Sequence, residues 1–288
     1  MSSNLKAADL FDISGWVTVV TGGGSGLGRM MANCLAQNGA KVYITGRRAD
    51  KLAETAASSD LIIPVQGDST KKEDIERIVA HIASNETHVD LLINNSGVST
   101  VKAQLDAEDN SAAAVSKRMM EQSFDDWTNP YAINVAAIYF TTAAFLPLLV
   151  AKRQHKGGES GNVINVTSIS GLINNSQGGQ FSYNANKRAA VGLTNQLALE
   201  LARPHLGIRV NQLALGYFPS EMSPVETQGE KDFFRRRWQI PFGRAGKDVD
   251  LAVTILALAK NEYQTNSCEV LDGAYSCASD NLPLHKYL

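Results

Sequence analysis

Tyr183 and Lys187 stand four residues apart at the head of a helical pattern that continues through Leu193, Leu197 and Leu201. That spacing puts the phenol and the ammonium on one helix face, one turn apart. A free phenol loses its proton near pH ~10, which makes it a weak acid–base group at neutral pH. A neighbouring cation favours the phenolate and draws that value toward working pH. Ser168, which follows an apolar run over 162–166, can offer a hydroxyl to the same reacting oxygen. Together the three side chains can protonate or deprotonate an oxygen on carbon while a hydride moves to or from that carbon. Taken alone the pair is a weak signal, because the same spacing also arises on solvated helix faces. The elements around it decide its meaning.

The first of these elements is near the start of the chain. Trp16–Val20 is a short β-branched run of the kind that forms a strand buried on both faces. It leads into Thr21-Gly22-Gly23-Gly24-Ser25-Gly26-Leu27-Gly28, then into a helical pattern (Met30, Met31, Cys34, Leu35) that stops at Gly39 before a second strand, Val42–Thr45. Strand, glycine-rich turn, helix and strand make a βαβ unit and predict a parallel sheet. Gly22 suits the sharp turn leaving the strand, Gly26 a close approach to a pyrophosphate, and Gly28 the packing of helix on sheet. The anion then meets the helix N-terminus, where free N–H groups and the dipole favour negative charge. With Gly24, Ser25 and Leu27 completing the turn, this context reads as a dinucleotide site.

The second strand ends at Gly46-Arg47-Arg48, where an NAD-preferring fold commonly places a carboxylate for the ribose hydroxyls. Arg47 and Arg48 instead suit a ribose 2′-phosphate, so NADP is expected over NAD. A third strand, Leu61–Gln66, ends at Gly67-Asp68-Ser69, and Asp68 is placed to meet the adenine or to cap the helix over 71–84. Val89–Ile93 reads as a strand entering Asn94-Asn95-Ser96-Gly97, a small-residue turn at the carboxyl end of a strand, where open α/β sheets bind ligands. Residues 98–129 read as a surface connection with helical turns over Ala112–Met120. Ala132–Val150 reads as a long buried helix whose Asn134 needs partners and is placed to hold a water leading toward Lys187. A strand over 163–167 delivers Ser168; one over 208–213 delivers Gly216 and Phe218 to the cofactor side. The stretch 217–241 lacks periodicity and reads as a substrate-binding lid. A helix over 249–259 and a strand over 268–271 close the chain. With no repeat or linker, the expectation is one α/β domain over 1–288, with residues 1–14 a lead-in. Its architecture is a Rossmann-like, doubly wound parallel sheet with helices on both faces.

Composition narrows the function classes. The 288 residues are 44% hydrophobic and carry a formal net charge of −2, which argues against a nucleic-acid partner. Cys34, Cys268 and Cys277 fit no metal spacing, so no metal is expected and reduced thiols are the simple reading. The N-terminus lacks an apolar signal core and no stretch reads as a membrane span, so no membrane partner and a cytoplasmic location are expected.

In order, these motifs resemble the short-chain dehydrogenase/reductase family over about Trp16–Ala274. Thr21-Gly22-x-x-x-Gly26-x-Gly28 is similar to its cofactor turn, Asn95-Ser96-Gly97 to its Asn-Ala-Gly motif, and Asn134, Ser168, Tyr183 and Lys187 to its catalytic tetrad. The Gly216–Met222 wording is similar to 3-oxoacyl reductases of lipid biosynthesis. The resemblance implies an NADPH-dependent reaction on a carbonyl or secondary alcohol, in a homodimer or homotetramer formed through the long helices. Ser168 would polarise the carbonyl and Tyr183 would give the proton. Lys187 would lower the phenol's pKa and bond the nicotinamide ribose, and Asn134 would hold a water. One departure is Leu215-Gly216 where the family usually has Pro-Gly, which is expected to loosen that turn. Two other functions fit the same motifs: a dinucleotide-bound sensor without turnover, and reduction of a carbon–carbon double bond or dehydration.

Overall fold

Five consecutive buried residues, Val17–Thr21, place the first strand (β1) in the interior of a sheet covered on both sides. The computed structural model describes residues 5–105, 107–221 and 231–279. Over these the chain runs α1 (Ala7–Leu10), β1, α2 (Gly26–Gln37), β2 (Lys41–Gly46), α3 (Ala49–Ala56), β3 (Ile62–Gln66), α4 (Lys72–Ala83) and β4 (Leu91–Asn94). It continues through α5 (Ala112–Met120), α6 (Asp125–Tyr131), a π-turn (Ala132–Ala136), α7 (Ala137–Lys156), β5 (Asn162–Val166), α8 (Phe181–Leu201) and β6 (Arg209–Leu215). α9 (Lys231–Arg237), α10 (Asp248–Lys260), β7 (Cys268–Leu271) and α11 (Tyr275–Ser279) follow.

The strands form one sheet in the order β3-β2-β1-β4-β5-β6-β7, every pair parallel. The expected doubly wound α/β sheet is therefore what forms. Parallel pairing sends all seven carboxyl ends to one edge, and the strand order reverses between β1 and β4, which opens a crevice there. Alternation along the strands supplies both cores. Val20, Ile44 and Ile93 pack with Met31 and Leu35 of α2 and with Leu251 and Ile255 of α10. Val19, Tyr43 and Val163 face the other way, onto Ile82 of α4, Phe145 and Leu149 of α7, and Ala198 of α8.

Four sequence expectations change. The helix expected at Ala132–Val150 is part of a continuous helical stretch over Asp125–Lys156 that holds an 18-residue window of mean hydropathy 1.9, long and apolar enough by length and composition to cross a membrane, so the reading that no stretch reads as a span is corrected. Half of that window is buried in the fold. Thr142, Phe145 and Leu149 face the sheet while Tyr139 and Phe140 face outward, so the helix is half-buried. The turn after β6 is not loosened by Leu215. A proline there would lack an N–H, whereas Leu215 is buried and stays in the ladder opposite Leu271. Residues 98–129 do more than connect. Ala103 and Leu105 donate to the carbonyls of Gly179 and Gly178, and Ser182 Oγ donates to the Asp126 carbonyl in α6, which braces the entry to α8. Finally, the lead-in contributes Ile13 to the core. Of the lid expected at 217–241, residues 222–230 lie outside the described residues; α9 places Phe234 against Ile169, Ile173 and Tyr275.

At the amino edge of the sheet the fully buried Asp90 accepts from the Val17 N–H (2.8 Å) and from Lys156 Nζ (3.0 Å), joining the starts of β1 and β4 to the end of α7. Removing one partner of such a pair leaves an uncompensated buried group. Asp90→Ala leaves the buried Val17 N–H without its partner and should lower unfolding free energy by about 1–3 kcal/mol in denaturant titration. An unchanged midpoint would show that this joint does not hold the edge together.

Candidate active site

The turn after β1 is shaped by two close approaches. Gly22 has φ +67°, a region that favours glycine, and turns the chain out of the strand. A Cβ on Gly28 would lie 2.2 Å from the Gly22 carbonyl oxygen and 2.6 Å from Asn95 Nδ2, so only glycine lets α2 start this close. Thr21 Oγ1 accepts from the N–H groups of both Asn95 and Ser96 (3.0 Å each), and Asn95 Nδ2 donates to the Thr21 carbonyl (2.8 Å). Asn95 is thus a joint between the β1 and β4 turns as much as a wall of the cleft. Ser25 does not cap α2, so the first-turn N–H groups carry the helix's partial positive charge to the cleft.

The residues expected to react lie further along the same edge. Ser168 follows β5, and its hydroxyl accepts from the Ser170 N–H (3.1 Å) and donates to the Leu215 carbonyl (3.4 Å). Tyr183 enters from the first turn of α8, and Lys187, one turn on, puts Nζ 5.8 Å from the phenol ring centre while donating to the Val166 carbonyl (3.1 Å). Burial pushes the Tyr183 phenol above its ordinary value, and a hydrogen-bonding contact with Ser168 draws it part of the way back. Burial pulls Lys187 down to about 8. Ser168 thus acts on the phenol in the direction expected of Lys187, against the larger effect of burial.

Asn134 is buried in the π-turn, a rare widening of a helix that often marks a functional site. Its Oδ1 accepts from the Val98 N–H (2.9 Å) and its Nδ2 donates to the Val98 carbonyl (3.0 Å). The side-chain amide expected to hold a water is already engaged in fixing the 97–98 backbone. A Cβ on Gly97 would come within 3.0 Å of Asn134 Oδ1 and 3.7 Å of Lys187 Nζ, so the turn passes between the two side chains.

At the other end, Arg47 and Arg48 both line the cleft. Arg48 Nη2 donates to Ser25 Oγ and pairs with Glu221 Oε2, each at 2.8 Å. Asp68 also lines the cleft; its Oδ1 accepts from the Thr70 N–H (3.0 Å), so it shapes the turn before α4 without capping that helix. Ser69 is buried beside it. Gly216 donates its N–H to the Leu271 carbonyl, and Phe218 is buried with the α2–α10 core while one side reaches the cleft.

One continuous cleft runs from Arg47 through Gly22, Gly24, Gly26, Leu27 and Gly28 to Ser168, Tyr183 and Lys187; Asn134 does not line it and stands behind Val98, which does. A dinucleotide fits this donor set: a glycine cradle that any Cβ would fill, a helix N-terminus for a pyrophosphate, and cations at the far end. Sequence reasoning missed three parts of the site. Thr21 is signalled only as a hydroxyl ending an apolar strand. Glu221 meets Arg48 from 173 residues away, a contact without local signature. Beyond the cleft lining, Gln177 accepts from the Ser170 hydroxyl (2.7 Å), and Tyr217 packs on Trp238 (4.6 Å) and Tyr275 (5.4 Å).

A family model described as short chain dehydrogenase matches residues 16–231, and the chain belongs to that family of oxidoreductases. Short-chain dehydrogenase/reductase PhomF of Diaporthe leptostromiformis is 37% identical over 270 residues, 90% of this chain and 90% of that protein. The 3-oxoacyl-[acyl-carrier-protein] reductase FabG of Thermotoga maritima is 29% identical, covering 91% of this chain and 98% of its own. Among solved structures, the Pseudomonas aeruginosa RhlG/NADP active-site complex superposes with a TM-score of 0.78 at 26% identity, over 93% of this chain and 98% of that one.

The depressed Lys187 value has a direct readout. Its folded value (about 8) lies below the ordinary 10.5, so the buried ammonium weakens the fold below pH 8 and that penalty fades as pH rises toward 10.5. In NMR of lysine-labelled protein, one side chain, absent from Lys187→Met, should titrate near pH 8. Lysine signals that all titrate above pH 10 would contradict the burial described here.

Proposed function

We propose that this chain is an NADP-dependent carbonyl reductase, able to run as a secondary-alcohol dehydrogenase, with Tyr183 as general acid and base. The observation that carries the reading is the meeting of Tyr183, Ser168 and Lys187 in the same cleft as the glycine cradle. When bound, the dinucleotide supplies or accepts the hydride. Arg47 and Arg48 support the choice of NADP, as does the likeness to the Pseudomonas aeruginosa RhlG/NADP active-site complex.

In the reducing direction the Ser168 hydroxyl orients and polarises the carbonyl oxygen. Tyr183 then gives that oxygen its proton. A phenol held above its ordinary value stays protonated at neutral pH, the state an acid needs. Lys187, titrating near 8, can hold a proton at neutral pH and return it toward Tyr183. Asn134 acts by fixing the Val98 backbone, a positioning role. The substrate class this favours is a small ketone, including 3-oxoacyl thioesters, by likeness to FabG. The outward Tyr131, Tyr139 and Phe140 support self-association through the α7–α8 face, which sedimentation of a Tyr139→Glu variant tests by its shift to a smaller species.

Tyr183→Phe should lower turnover about 10²–10⁴-fold while still binding NADPH. In the parent protein, ketone reduction should hold below pH 8 and fall above it as Lys187 loses its proton, whereas alcohol oxidation should climb over the same range. Near-normal turnover of Tyr183→Phe, or a flat reduction profile to pH 10, would contradict the assignment.

A further inference from the structure

Glu221 reaches back over the glycine-rich turn from the segment that follows β6. Its Oε2 lies 2.8 Å from Arg48 Nη2 and 3.4 Å from Ser25 Oγ, and the same Arg48 nitrogen donates to Ser25 Oγ at 2.8 Å. Three groups from distant parts of the chain therefore close a small triangle: the N-cap of α2, the N-cap of α3 and a carboxylate. All three line the cleft. Lys51, on the first turn of α3, adds positive potential toward the same carboxylate. The neighbouring Ser220 sits so close that a Cβ on Gly26 would lie 3.1 Å from its own Cβ, so the segment is seated on the turn. A hydroxyl and a guanidinium converging on one anionic oxygen is the donor set that recognises a phosphate monoester.

We propose that Glu221 is an internal occupant of an anion site formed by Ser25 and Arg48, displaced when a dinucleotide carrying a 2′-phosphate binds. This rests on the NADP reading above and deepens it. A carboxylate and a phosphate dianion compete for the same guanidinium and hydroxyl and repel one another, so the 2′-phosphate turns Glu221 out. NADH brings no charge to that position and leaves the pair in place. Glu221 is therefore a specificity-determining residue: it sets how much of Arg48's attraction for the 2′-phosphate appears as affinity. The displaced carboxylate belongs to the stretch that carries Gly216 and Phe218, and the preceding Leu215 carbonyl accepts from Ser168. The choice of cofactor is in this way linked along the chain to the carbonyl-binding side.

The ion pair is about half exposed on both sides (53% and 55%), so its competition is modest, on the scale of an exposed salt bridge. The test is calorimetric binding without a carbonyl substrate, comparing NADPH with NADH and adenosine 2′,5′-bisphosphate with AMP. The proteins are the parent, Glu221→Gln and Arg48→Ala. Glu221→Gln should tighten NADPH and the bisphosphate about two- to fivefold and leave NADH and AMP unchanged, while Arg48→Ala should weaken the 2′-phosphate ligands. A Glu221→Gln variant that tightens both cofactors equally, changes neither or binds NADPH more weakly overturns the inference. If the parent prefers NADPH and Arg48→Ala removes that preference, such a result sinks the role of Glu221 alone. If the parent shows no preference and Arg48→Ala shifts nothing, the NADP reading has failed as well.

Discussion

The seating of α2 on the β1 turn is the contact on which the cleft depends. With no side chain at residue 28, the helix starts against the Gly22 carbonyl, and Asn95 closes in from β4. Thr21 then ties both turns with one hydroxyl oxygen that accepts two N–H groups. These contacts fall where the strand order reverses, so they decide the width of the crevice between β1 and β4. A bulkier residue at 28 would lift the helix N-terminus away and take the anion-binding N–H groups with it. The opposite edge, held at Asp90, keeps the amino ends of the same two strands together. The crevice and the Asp90 joint lie at two ends of one pair of strands.

Burial does more than hold the reacting groups still. It raises Tyr183 and lowers Lys187, moving both toward their neutral forms. With the phenol raised and the ammonium lowered, a proton passes downhill from Lys187 to a Tyr183 phenolate, the direction that restores the acid. Ser168 is the polar counterweight, since its hydroxyl favours the phenolate and its position is set by Ser170 and Leu215. The leucine at 215 is thus part of the site's support: β6 continues in the ladder with β7 two residues past its last pair with β5, and the Leu215 carbonyl accepts from Ser168.

Much of this was legible in the residues, and for a physical reason. Doubly buried strands such as β1 and β5 are short apolar runs bounded by turn residues, so their order and the parallel sheet follow from local pattern. Gly22, Gly28 and the Tyr183–Lys187 spacing are local as well. Long-range contacts left no such trace. Thr21 meeting Asn95, Arg48 meeting Glu221, and Ala103 meeting Gly179 each join segments far apart in the chain. The apolar window inside the helical stretch Asp125–Lys156 misled in the other direction. Composition alone does not show that Tyr139 and Phe140 face outward while Phe145 and Leu149 face the sheet. The direction of the Tyr183 shift was also hidden, because a cation at i+4 is visible in sequence and the density of the surrounding protein is not.

The most direct measurement is transfer of the label from NADPH deuterated at nicotinamide C4 (each face labelled in turn) to a panel of small ketones and 3-oxoacyl thioesters, read by mass spectrometry of the product. If this cleft reduces carbonyls as described, one ketone class will gain a single deuterium at the former carbonyl carbon from one face only. Tyr183→Phe will bind the labelled dinucleotide and transfer almost none. Tight binding of NADPH by the parent with no label reaching any carbonyl carbon, or equal transfer by Tyr183→Phe, would contradict Tyr183-dependent hydride transfer.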